Sequence, residues 1–130
     1  MKLRIIFTIL IASLLIACSP IPRPTPFLNE RQMVEVLTEM HIIEAQLQQM
    51  QNHGTDFDAM RAYTTSAYIQ LFERFGLTQE SFEANLFFRT YQSRDIERIQ
   101  ERVHENLQRI NDERRQEEMG VQDRVSEIDF

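Results

Sequence analysis

One stretch of the chain combines residue types and spacing that dictate a reaction: Leu15-Ile16-Ala17-Cys18. A small Ala directly before a Cys suits a cut after a small side chain at the end of a secretory signal, and a thiolate is a strong nucleophile. Cys18 is the only cysteine, so no intramolecular disulfide occupies it. Glu101 and His104 stand at i,i+3, the spacing with which di-iron bundles present two ligands from one helix. Such sites need the motif twice plus two inward glutamates, and one copy exists. His41 and Glu44 could contribute ligands if they faced His104, but they more simply flank an apolar stripe, so neither a metal nor a cofactor is expected. No Ser sits in a strand-turn-helix elbow or a Gly-rich loop, and carboxylates on helix exteriors lack the burial that tunes an acid-base pair. The chain is not expected to be an enzyme. Glu44 stands out for another reason: it interrupts the apolar face between Met40 or Ile43 and Leu47. Buried and unpaired it would cost several kcal/mol. It should therefore meet an Arg or a helix N-terminus at the edge of a core, or else make a polar contact in a binding groove.

The reactive stretch is positioned by what precedes it. Lys2 and Arg4 give a basic start, and Ile5 to Ala17 is apolar apart from Thr8 and Ser13, the pattern of a secretory signal. The run falls short of the roughly 20 residues of a spanning helix, and no charged stop-transfer flank follows. With Leu15, Ile16 and Ala17 before Cys18 it resembles the lipobox of bacterial lipoproteins. That resemblance implies that the Cys18 thiol receives a diacylglycerol and that cleavage makes Cys18 the new, palmitate-type acylated N-terminus. Two or three acyl chains, at about 0.8 kcal/mol per buried CH₂, hold a protein on a bilayer stably where one does not.

Removal of the first 17 of 130 residues leaves 113, one domain's worth. Lys2 and Arg4 leave with the signal, so 12 of the 14 cations remain against 20 carboxylates, a formal charge of −8. Nucleic acid is a poor partner for such a surface.

Residues 18–28 follow as a lipidated Cys and a spacer. Ser19 to Pro26 holds all the prolines, which fix φ and withhold backbone donors. As polyproline II it would hold the next segment roughly 25 Å from lipid; as a disordered linker it would set no particular length. Residues 29–110 carry four helical patterns. Asn29, with Gln32 three residues on, caps a first helix to about Asn52, and Met33, Val36, Leu37, Met40, Ile43, Leu47 and Met50 give it one apolar face. A second follows Thr55 or Asp56, carries Phe57, Met60, Thr64, Ala67, Tyr68, Leu71, Phe72 and Phe75, and closes at Gly76 in the left-handed conformation. Thr78 caps a third, with Phe82, Leu86, Phe87, Phe88 and Tyr91. Three consecutive apolar residues spread over too wide an arc to face one core, so one of Phe87 and Phe88 is expected at an edge. Ser93 caps a fourth, with Ile96, Ile99, Val103, Leu107 and Ile110 as a narrow seam and Arg98-Glu101 and Arg102-Glu105 as outer pairs. From Asn111 charge takes over, and 111–130 is expected as a charged helix extension ending in a disordered acidic tail. The expected fold is all-α, a small bundle of three to four antiparallel helices after a signal peptide and a Pro-rich linker, with helix three lying across.

The run Leu37-Thr38-Glu39-Met40-His41-Ile42-Ile43-Glu44-Ala45 resembles an uncharacterised family of Bacteroidota lipoproteins, domain of unknown function 4296. So does Phe75-Gly76-Leu77-Thr78-Gln79-Glu80-Ser81-Phe82 with Asn85-Leu86, the aromatics to Tyr91, and Ile99, Val103 and Leu107. The likeness spans about Phe27 to Ile110; a Ser is more usual at Asn85, and a Pro is missing before helix four. It implies a signal-anchored, all-helical domain of the cell envelope with no catalytic residues to carry over. In that phylum surface-exported lipoproteins tend to carry acidic residues soon after the Cys, whereas Ser19-Pro20-Ile21-Pro22-Arg23 stands here. The implied location is the inner leaflet of the outer membrane, facing the periplasm. Two functions fit: an interaction module that offers the aromatic edge of Phe87, Phe88 and Tyr91, with Glu44, to an envelope protein partner, or a binding domain for a small apolar ligand or lipid, lined from nine Phe and six Met.

Overall fold

A computed structural model of the chain describes residues 21–128, with the side chains of Ser93 and of 122–128 outside the description. Leu15, Ile16, Ala17 and Cys18 lie outside the described residues. Four helices follow one another: α1 (Glu30–Asn52), α2 (Phe57–Arg74), α3 (Gln79–Tyr91) and α4 (Ser93–Ile128). The described chain is all-α, a small bundle.

Local chemistry sets most helix ends. At α1 a capping box forms: Asn29 Oδ1 accepts from the Gln32 N–H at 2.9 Å, and Gln32 Oε1 accepts from the Asn29 N–H at 3.0 Å. Asp56 caps α2 through the Asp58 N–H, and Thr78 caps α3 reciprocally with Ser81. Gly54 and Gly76 take φ of +71° and +63° beyond α1 and α2, the left-handed turn that an L side chain resists. At Gly76 the turn lets the Leu77 N–H reach back to the Phe72 carbonyl at 2.8 Å.

The short loop after α1 sends α2 back antiparallel along it, so that Arg74 meets Glu39 at 3.3 Å and the Tyr63 hydroxyl donates to Gln46. α4 does not alternate. It runs beside α1 in the same direction: Glu30 pairs with Arg98 and Arg102, each at 2.9 Å, while further on Ala45 and Gln49 share a groove with Ile110 and Arg114. α3 causes this. It crosses from the end of α2, where Phe82 lies 5.5 Å from Phe72, to the start of α4, where Arg89 meets Asp95 at 2.9 Å. Both contacts lie at the end of the molecule where α1 begins, so α4 must set out from there too.

α1 is the central helix, with α2 and α4 on its two sides. Met33, Val34, Val36 and Ile43 of α1 meet Leu71, Phe82, Ile99 and Val103 in one core, each large apolar side chain contributing about 1.5–3 kcal/mol. Thr38 is buried among them because its hydroxyl donates to the Val34 carbonyl at 2.7 Å.

Three expectations are corrected. Leu28, assigned to the spacer, is a core residue, so the domain begins before Asn29. Arg98 and Arg102 do not pair with Glu101 and Glu105: both reach Glu30, and Arg98 also holds Asp95 at 2.8 Å, because α4's start lies against α1's start. The tail expected to be disordered continues α4 to Ile128. Its Glu, Gln and Arg are strong helix formers and no Pro interrupts them. Among the described residues no helix is long and apolar enough to cross a membrane.

Candidate functional site

Two regions at opposite ends of α1 carry the unusual chemistry. At its beginning, the extended strap Pro26-Phe27-Leu28 is clasped by α3. Asn85, wholly buried, uses its full amide: Oδ1 accepts from the Leu28 N–H at 2.8 Å, and Nδ2 donates to the Pro26 carbonyl at 2.8 Å and the Ser81 carbonyl at 2.7 Å. One turn on, Arg89 donates to the Leu28 carbonyl at 2.8 Å and to Asp95 at 2.9 Å. Its guanidinium carbon sits 4.8 Å from the centre of the Phe27 ring, which packs edge-on against Phe88 at 5.7 Å. The buried Arg89 Nε has no hydrogen-bond partner, and the facing π surface is what offsets its lost hydration. Beside the clasp, hydrogen bonds from Arg102 and then Arg98 hold the Glu30 carboxyl below the usual carboxylate range, and the same pairing raises Arg98.

At the far half of α1, α2 leaves one side of the helix uncovered. Glu44, Leu47, Gln48 and Gln51 form the floor of an open groove of about 660 Å³, and Phe57, Met60 and Thr64 of α2 form its wall. Phe57 is 69% exposed, although its place in the apolar pattern suggested core. Across α1 a second open groove of about 500 Å³ holds His41 and His104 over Leu37, Leu86, Val103 and Leu107. Burial, followed by the neighbouring Glu44 charge, raises the Tyr68 hydroxyl pKa.

The sequence-derived candidates separate. Phe87 and Tyr91 are 62% and 70% exposed, a turn apart on the outer face of α3. Phe88 is only 8% exposed and belongs to the clasp, so it is no part of an edge. Glu44 meets neither an Arg nor a helix N-terminus: its side chain is 57% exposed with His41 Nδ1 at 3.6 Å. The expected core-edge bridge is absent because α3 crosses nearer the start of α1 and leaves Glu44 in water. Among the described residues no group of three or more His, Cys, Asp or Glu side chains converges as a metal site, and Glu101 and His104 are both exposed on α4.

Asn85 and Arg89 escaped the sequence reading as functional residues. A signal existed: both stand three or four residues from Phe82 or from each other, on the buried stripe of α3, where a polar side chain requires a partner.

The family model described as a domain of unknown function (DUF4296) matches residues 24–113. That span takes in the clasp, both grooves and the aromatic pair. No curated protein and no solved structure matches the chain.

Proposed function

The chain belongs to the family described as a domain of unknown function (DUF4296), and on that footing we propose that it is a lipid-tethered interaction module of a bacterial envelope. In this reading Cys18 carries the acyl chains on the periplasmic face of the outer membrane, and the uncovered groove of α1 and α2 takes an envelope protein. One observation carries the choice: a groove floor in which Leu47 stands among Glu44, Gln48 and Gln51, with Phe57 69% exposed at the wall, the mixture of apolar anchors and polar surroundings that interfaces use. A small apolar ligand is the weaker occupant, because such ligands are held where most of their surface is enclosed, and this groove is open along its length.

The test is in-cell cross-linking and affinity capture of a tagged, lipidated copy beside Phe57→Ser and Leu47→Arg. One dominant envelope protein, lost in both variants while their helicity persists, is the expected result. Equal capture by all three copies would remove the groove from the reading, and a stoichiometric lipid extracted from the purified protein would replace the partner with a ligand. Separately, Cys18→Ala is expected to abolish fatty-acid labelling and leave an unprocessed precursor; an unchanged labelled band would overturn the tether.

A further inference from the structure

The exposed aromatic pair of α3 is not explained by the groove, which lies at the other end of α1. α3 has two opposed faces. Phe82, Asn85, Phe88 and Arg89 are buried, and on the far side Phe87 and Tyr91 stand one turn apart in solvent. The buried side of this same helix holds the strap, through Asn85 to Pro26 and Leu28 and through Arg89 to Leu28. The chain therefore leaves the domain toward Cys18 from α3, and the stretch from Ser19 to Pro26 that joins them is only eight residues long. Extended as polyproline II, those eight span about 25 Å. α1 and α4 both run away from this end, so a lipid attached at Cys18 is kept within a short tether of α3.

From that placement we infer that Phe87 and Tyr91 seat on the lipid surface itself, so that the tethered domain rests on the bilayer through α3 and turns its groove away from it. The inference rests on the lipid attachment at Cys18 proposed above. Aromatic rings partition into the headgroup region, where the ring is dehydrated and a tyrosine hydroxyl stays wet. The exposed charges on α3's first turns and on the segments flanking the clasp are of both signs: Glu80 and Glu83 on α3, Arg23 before the strap and Arg94 after the helix. The seat is therefore apolar and independent of anionic lipid, and salt leaves it in place.

The sequence contains no Trp, so a single introduced Trp is a clean depth reporter. Lipidated full-length chains bearing Phe87→Trp, Tyr91→Trp or, at the far end, Phe57→Trp are reconstituted into phosphatidylcholine vesicles with brominated acyl chains. All three replaced side chains are exposed, so the fold is not disturbed, and circular dichroism checks it. Against unbrominated vesicles the Phe87→Trp and Tyr91→Trp chains are expected to be quenched several-fold, and their emission to be blue-shifted from that of Phe57→Trp, in low and high salt alike, while Phe57→Trp is not quenched. Chains that float with the vesicles but quench no more at 87 and 91 than at 57 overturn the seat and leave the tether standing; the aromatic pair then faces a protein. Quenching lost in high salt overturns the apolar seat. Chains that do not float at all remove the tether, and the seat falls with it.

Discussion

The two ends of α1 both carry polar and aromatic side chains and treat them oppositely. At the clasp, backbone groups of an irregular strap are satisfied by side chains 57 to 61 positions away, and Asn85 and Arg89 are sealed from water. At the groove, Glu44 and Phe57 stand in solvent, Glu44 with His41 of its own helix at 3.6 Å and Phe57 with Arg61 of its own helix 6.0 Å from the ring centre. Buried polar groups are expensive when a partner is lost, while exposed ones are nearly neutral. Stability is thus concentrated where the N-terminal strap joins the domain, and the groove is free to serve a partner without folding depending on it.

The sharpest way to break this comparison uses two adjacent residues. Phe88→Ala, which removes the ring packed on Phe27, should cost about 3 kcal/mol, whereas Phe87→Ala should change stability by less than about 0.5 kcal/mol. Urea unfolding of both checks it, and equal midpoints would show that the clasp side of α3 carries no weight. Asn85→Ala strands the Leu28 N–H and the Pro26 carbonyl and should cost about 2 kcal/mol, lowering Tm by roughly 10 °C. A Tm within a degree or two of the parent would mean that water replaces the amide without loss.

Glu30→Gln should cost less than about 1 kcal/mol at neutral pH, because Arg98 and Arg102 are half exposed. Its sign with pH is determinate. The folded-state pKa of Glu30 is lowered, so its bridges stabilise above the ordinary carboxylate range and the contribution is lost as pH falls through the lowered value. The parent and Glu30→Gln should therefore differ in Tm near neutrality and converge in acid; a gap that persists in acid would contradict the assignment. Smallest of all, Glu44→Gln should leave stability unchanged within about 0.5 kcal/mol while weakening partner capture. A clear fall in Tm would restore Glu44 to a structural role.

Much of the fold was legible because its signals are local. Asn29 with Gln32, Asp56, Thr78, Gly54 and Gly76 announce helix ends within four residues of themselves, and each end forms as its chemistry demands. The Phe87-Phe88 conflict was legible as a conflict, since neither ring can share the other's face, but not its resolution: Phe27 stands 61 positions from Phe88, and it is what draws that ring inward. Glu44 misled for the converse reason. Its neighbours in the pattern are apolar, yet coverage of that side of α1 depends on where α3 crosses.

Residue order by itself determined the four helices, their caps and the apolar stripes of α1 and α4, because those depend on contacts between residues at most four apart. Tertiary structure alone decided that α4 runs parallel to α1, that Glu30 takes both Arg98 and Arg102, and that Asn85 and Arg89 close over the strap. A polar side chain specifies that it needs a partner, but which group arrives from some 60 residues away is settled only when the packed core brings the elements together.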